Sequence, residues 1–247
     1  MTDVMFSGVK FQVRKDGDYK PYGPGGNYFQ GNNVWVDNDG DLHLKIAKDK
    51  NGNWECAEAL TYNRYGFGSY SVQIKQLLQD GKQVPMNQLD RNVTHGIFGY
   101  PTNDIGPDGT HEFDTEFSYW GADPAVARNF IQCSNYPSAL PPVSSVEGGQ
   151  MWRGMDFNSD FKLPLLSPLL NVIERGRARM KWTVADMLTG AYTGLEQTGL
   201  TRYQLSQEPM PLHFNLWLNK PAPFAAKTIE IVLSDFRFSP EYYGGWF

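Results

Sequence analysis

Long apolar runs are missing from this 247-residue chain, and no stretch approaches the roughly 18 residues that a membrane-crossing helix needs. An excess of positive charge is missing too. The chain carries 22 Lys and Arg against 27 Asp and Glu, a formal net charge of −5, with no basic cluster. That balance argues against nucleic-acid and anionic-membrane partners. Cysteine is scarce: Cys56 and Cys133 allow one disulfide or, on the plainer reading, two buried free thiols. The four histidines, His43, His95, His111 and His213, show no metal-ligand spacing, which argues against a zinc site. No G-x-S-x-G elbow, P-loop or G-x-G-x-x-G cradle is present. Helical period is rare as well. Residues 163–173 are apolar enough for a short helix, but Pro164 and Pro168 limit it to a turn or two.

What is abundant is strand pattern. Residues 41–46, 68–74, 96–100 and 228–238 alternate apolar and polar side chains. Turn signals separate such stretches, among them Asn38-Asp39-Gly40, Lys50-Asn51-Gly52-Asn53 and Gly106-Pro107-Asp108-Gly109. Many strands without a βαβ rhythm predict an all-β fold, a sandwich of two antiparallel sheets. The hydrophobic content of 40% supports one full core, so residues 1–247 read as a single domain. Two segments, 77–93 and 132–169, read as long insertions between strands.

One run stands apart: His111-Glu112-Phe113-Asp114-Thr115-Glu116-Phe117-Ser118-Tyr119-Trp120-Gly121. Strand side chains alternate faces, so Glu112, Asp114 and Glu116 share one face while Phe113, Thr115 and Phe117 point into a core. Three carboxylates in line repel and raise one another's pKa, a cost that an ordinary solvated strand avoids. The arrangement suits chemistry that needs one carboxylate ionised and another protonated at the same pH. Positions i and i+4 of a strand lie about 13 Å apart at Cα. Each Glu reaches roughly 4 Å, so on a curved strand the two carboxyl groups can close to around 5 Å. That is the spacing of about 5–5.5 Å that a retaining glycosidase uses.

The run resembles the E-x-D-x-E signature of glycoside hydrolase family 16, whose members include lichenases and related β-glucanases. Trp54-Glu55-Cys56-Ala57-Glu58 and Tyr65-Gly66-Phe67-Gly68-Ser69-Tyr70 are similar to two further lichenase strands. Asn32-Asn33-Val34 and Asn38 to Lys45 are similar to the family's first paired strands and their turn. Asn215-Leu216-Trp217 and the segment 231–238 are similar to its later ones, so the likeness spans about residues 30 to 240 with gaps. Three departures stand out. His111 replaces an acidic residue, Leu60 replaces an Arg that contacts substrate, and the H-x-Y-x-x-x-W strand has no clean counterpart, its nearest register being 169–175.

The resemblance implies a jelly-roll sandwich and assigns Glu112 as nucleophile, Asp114 as assistant and Glu116 as general acid/base. It places Glu58, Asn215 and Trp217 against sugar, and Trp120 serves either as a sugar platform or in the core. Asp235 matches a position that can hold a structural calcium; no cofactor is otherwise required. The expected partner is a β-linked polysaccharide, β-glucan above all, handled by a monomer. Rival readings on the same fold are a non-catalytic lectin-like module and a transglycosylase. The N-terminal MTDVMFSGVKFQVRKD lacks the features of a signal peptide. Because polymers are too large to import, the chain is expected to be secreted or periplasmic with its leader absent from this sequence; a cytoplasmic location stays open.

Overall fold

A computed structural model describes residues 3–15, 24–105, 111–125, 130–136, 153–155, 168–202 and 204–241. Among them there is no α-helix, only short 3-10 turns at Gly31–Asn33 and Met86–Gln88. Two antiparallel sheets carry the rest. The first runs β1 (Val4–Phe6), β2 (Val9–Val13), β6 (Ala57–Tyr65), β16 (Met210–Leu218), β9 (Val93–Gly99), β10 (Phe113–Ser118), β11 (Ile131–Asn135) and β12 (Arg153–Met155). The second runs β15 (Tyr192–Thr198), β14 (Arg179–Asp186), β13 (Leu169–Arg175), β7 (Gly68–Gln79), β17 (Ile229–Pro240), β4 (Leu42–Lys48) and β3 (Val34–Val36). Short strands β5 (Trp54–Glu55) and β8 (Lys82–Val84) extend β4 and β7. The expected all-β sandwich of two antiparallel sheets is what the chain forms.

Alternation explains the layering. On β7, Tyr70, Val72 and Ile74 are buried while Ser69, Ser71 and Gln73 are half-buried on the other face. Between the sheets lies an aromatic core. Phe11 stacks on Phe214 at 5.4 Å, and both meet Phe236 of the opposite sheet edge-on, at 6.1 and 5.8 Å. Tyr70 reaches across to Phe113 at 5.3 Å, which anchors the acidic strand from behind. Gly99 is required there: a Cβ on it would stand 2.2 Å from the Phe113 ring.

Two sequence expectations change. Of the segment 163–173, read as a helix of a turn or two at most, residues 163–167 lie outside the described residues; 169–175, the nearest register to the H-x-Y-x-x-x-W strand, form β13 between β7 and β14. Leu170 and Val172 on its outer face concealed the alternation of Leu169, Asn171, Ile173 and Arg175 inside. The segment 77–93 is no simple loop. It is the β7–β8 hairpin, turning at Asp80 and Gly81 with φ of 52° and 75°, followed by the Met86–Gln88 turn. Asp90 then accepts hydrogen bonds from the amides of Phe224, Ala225 and Ala226, pinning that segment down. The second expected insertion begins inside β11 and otherwise lies largely outside the described residues, as does the turn at 106–109.

Candidate active site

The register of the first sheet puts the sequence-predicted residues on one outward face. Across the strands, Gln132 of β11, Glu116 of β10, Gly96 of β9, Asn215 of β16 and Glu58 of β6 stand side by side. The neighbouring row holds Ser134, Asp114, Phe98, His213 and Leu60. On the other side of the first row come Ser118, Thr94 and Trp217. Glu112 directly precedes β10 and continues its pairing, its carbonyl accepting from the amide of Tyr136 at 2.9 Å.

The acidic strand has the alternation that the sequence predicts. Phe113, Thr115 and Phe117 are fully buried behind it. Asp114 is buried on the outward face and accepts a hydrogen bond from the Ser134 hydroxyl. Its carboxyl is pushed well above the usual carboxylate range, first by burial and then by the charge of Glu112, with which it also shares a hydrogen bond; Ser134 pulls the other way. Glu116 is pushed up to about 8 by burial and by the Asp114 charge. Two carboxylates in contact under low dielectric resist ionising together, which is the cause of the upward push on Asp114. Beside Glu116, Gln132 keeps its buried Oε1 without a hydrogen-bond partner. Thr115, behind the strand, leaves its buried hydroxyl unpartnered as well.

Asn215 sits between Glu116 and Glu58. Its Oδ1 accepts the Gly96 amide at 3.0 Å, and the side chain leans over Gly96, where a Cβ would approach that oxygen to 2.6 Å. Trp217 is only 7% exposed, with Trp120 edge-on at 5.7 Å and Gly25 closing over its rim. Trp120 is half-buried and held in a left-handed backbone conformation, φ 54°, while its amide donates to Ser118 Oγ at 3.0 Å.

Glu58 differs from expectation. It is 5% exposed and doubly bound: Arg14 Nη1 donates to Oε2 at 2.7 Å and His213 Nδ1 lies 2.8 Å from Oε1. Burial raises its pKa, yet hydrogen bonds and charge from His213 and Arg14 outweigh that and hold it below the usual range. Sequence reasoning missed both partners. His213 had a visible signal, since the period of β16 puts it on the same face as Asn215 and Trp217. Leu60, standing where a substrate-contacting Arg was expected, lies next to His213, and the guanidinium beside Glu58 comes from Arg14 instead.

The other candidates separate from this cluster. Asp235 lies on the second sheet, where Arg237 Nε donates to it at 2.7 Å. Among the described residues there is no group of three or more His, Cys, Asp or Glu that could hold a metal ion. His111 hydrogen-bonds Ser206 Oγ at 2.7 Å and is buried. His95 is buried beneath the sheet against Phe117, its pKa pushed down to about 4 by burial. Cys56 and Cys133 are buried thiols outside any disulfide, and Cys56 Sγ donates to Asn27 Oδ1 at 3.3 Å. No helix among the described residues is long and apolar enough to cross a membrane.

Comparison with known proteins agrees with this picture. No family model matches the chain. A β-glucanase of Paenibacillus polymyxa is 27% identical over 95 residues, 32% of this chain and 40% of that protein. The chain thus matches less than half the length of that curated relative. Among solved structures, Bacillus licheniformis β-glucanase superposes with a TM-score of 0.63 at 18% identity, over 94% of this chain and 92% of that one. A lichenase from a mouse hindgut metagenome gives 0.61 at 15% identity, over 94% and 93%. A Mycobacterium tuberculosis protein described as a pseudo β-1,3-glucanase gives 0.61 at 14% identity, over 98% and 99%. The chain has the β-glucanase jelly roll over nearly its whole described length, and its resemblance to the β-glucanases of glycoside hydrolase family 16 holds in both sequence and fold.

Proposed function

We propose that the protein is a retaining, endo-acting glycoside hydrolase that cleaves a β-linked polysaccharide of the β-glucan type. The outward face of the first sheet is its substrate groove. One observation carries the reading: Asp114 and Glu116 share the outward face of β10 with Glu112 just before it, and burial and the neighbouring carboxylate push Glu116 up to about 8. A protonated acid next to an ionisable carboxylate is the division of labour that glycosidic cleavage requires.

Glu112 attacks the anomeric carbon as the C–O bond to the leaving sugar breaks. Glu116 donates its proton to the departing oxygen. The ionised Glu116 then takes a proton from water as that water attacks the glycosyl–enzyme ester, which restores both carboxyl groups. Asp114, fixed by Ser134, stands on the nucleophile's flank. Gln132 Oε1 is an unpartnered acceptor beside Glu116, placed for a donor on a bound ligand. The chemistry needs no cofactor. The protein acts as a monomer on a polymer met outside the cytoplasm.

A non-catalytic glycan-binding role is the second reading. A neighbour of the same fold is described as a pseudo-glucanase, and the enclosed Trp217 offers little open ring for stacking. Incubation with purified mixed-linkage, β-1,3-linked and β-1,4-linked glucans, with detection of new reducing ends, separates the two. Cleavage is expected, and proton NMR of the first product should show the β-anomer. Binding without cleavage of any polymer establishes the second reading, and an initial α-anomer overturns the assigned roles of Glu112 and Glu116.

A further inference from the structure

We propose that His213 is a sugar-contacting residue of this face and that Glu58 acts through it as a positioning residue. The inference rests on the reading of the first sheet as a glycan groove. Both carboxylate oxygens of Glu58 are engaged within the protein, Oε2 by Arg14 at 2.7 Å and Oε1 by His213 at 2.8 Å. Its side chain is 7% exposed. A carboxylate in that state has little left to offer a hydroxyl.

His213 has more. A carboxylate only accepts, so the hydrogen bond to Glu58 places the proton on Nδ1. The other nitrogen, Nε2, is not used by Glu58. Among the described residues it has no hydrogen-bond partner, and the residue as a whole is 7% exposed. The ring cannot swing away: Phe98 stacks on it at 4.9 Å and 30°, and Tyr100 meets it edge-on at 5.8 Å. An imidazole fixed by a carboxylate, which is itself fixed by a guanidinium, is a pre-organised hydrogen-bonding group.

The register places it. Asp114, Phe98 and His213 are successive neighbours across the sheet, so His213 lies two strand spacings, about 10 Å, from the reacting pair. Its target is therefore a sugar removed from the cleavage point. Nε2, the ring nitrogen that Glu58 does not use, is placed to hydrogen-bond a free sugar hydroxyl at that position. A contact so far from the reacting atoms is made equally in ground and transition states, and its loss falls on KM.

The test uses the non-hydrolysing Glu112→Gln protein and calorimetric titration with gluco-oligosaccharides of β-1,3, β-1,4 and mixed linkage. His213→Asn is the informative change, because its amide NH2 can replace Nδ1 as donor to Glu58 while Nε2 is lost. It should weaken binding about tenfold, the worth of one hydrogen bond made in a fixed site. Glu58→Ala should weaken it similarly, and the two changes together no more than either alone. In the hydrolytic protein the same loss should appear in KM. Binding by His213→Asn within twofold of its parent overturns this inference and leaves the hydrolase reading standing. A Glu112→Gln parent that binds no oligosaccharide, with a wild-type protein that cuts none, overturns both. His213→Ala, with melting temperature checked, provides a second variant should the Asn change disturb folding.

Discussion

Two buried carboxylate sites share one face of the same sheet and are driven in opposite directions. Glu116 and Asp114 have carboxyl neighbours and hydroxyl or amide company, and burial pushes both upward. Glu58 is no less buried, but Arg14 and His213 close on its two oxygens and hold it down. Burial alone therefore decides nothing about protonation here; the sign of the nearest charge does. Proton chemistry belongs to the first site, where Glu116 is pushed up to about 8. The second, held below the usual carboxylate range, is suited to holding another side chain still. Their separation across β9 and β16 lets one sheet do both.

The sharpest way to break this contrast is to neutralise one carboxylate of the first site without changing its shape. Glu112→Gln should lower kcat on polysaccharide by at least about a thousandfold, in keeping with the removal of a covalent nucleophile. Folding and oligosaccharide binding should stay close to wild type. Retention of more than a few per cent of turnover would move the nucleophile elsewhere and reduce the acidic strand to a binding surface.

A smaller, more selective loss is expected at the acid. Glu116→Ala should lose roughly a hundredfold or more on polysaccharide and far less on aryl glycosides with good leaving groups, which need little protonation. Azide should speed the second class by attacking the glycosyl–enzyme in place of deprotonated water. In the wild-type protein, kcat/KM should fall on the alkaline side near pH 8, where Glu116 loses its proton. Equal impairment on both substrate classes, unmoved by azide, would remove Glu116 from the acid/base role.

The two sites were not equally legible in the sequence. Glu112, Asp114 and Glu116 lie within one strand, and face alternation is a local rule, so their shared face and buried backing of Phe113, Thr115 and Phe117 could be read directly. The sandwich was legible for the same reason. Glu58 was legible as a residue and not as an environment. Its partners are 44 and 155 positions away in the chain, and only the pairing of β2, β6 and β16 brings them together. The same limit applies to Trp217: its period gives its face, but the cover supplied by Trp120 and Gly25 comes from other segments. In the described part of the segment 163–173, apolar residues on both faces of β13 mask a period of two.

Stability against pH offers the finest test, because the two sites must contribute with opposite slopes. Glu116 has a folded pKa of about 8 against an ordinary value of 4.5. Between those limits the unfolded chain has released the proton and the folded protein still holds it. Stability therefore declines as pH rises from about 4.5 to about 8, then levels. Glu58 is depressed in the fold, so its contribution is present above the ordinary carboxylate pKa and is lost as pH falls through the folded value. Glu116→Gln should thus stabilise the protein at pH 8 by about 1–3 kcal/mol, a rise of several degrees in melting temperature, and change little at pH 5. Glu58→Gln should destabilise it at pH 7 by about 2 kcal/mol, since Arg14 and His213 lose a shared anion, with the deficit shrinking in acid below pH 4. Melting curves of both variants across pH 3 to 9 would decide the matter. Parallel slopes for the two would mean that one common effect of burial governs both sites, and the contrast between them would fail.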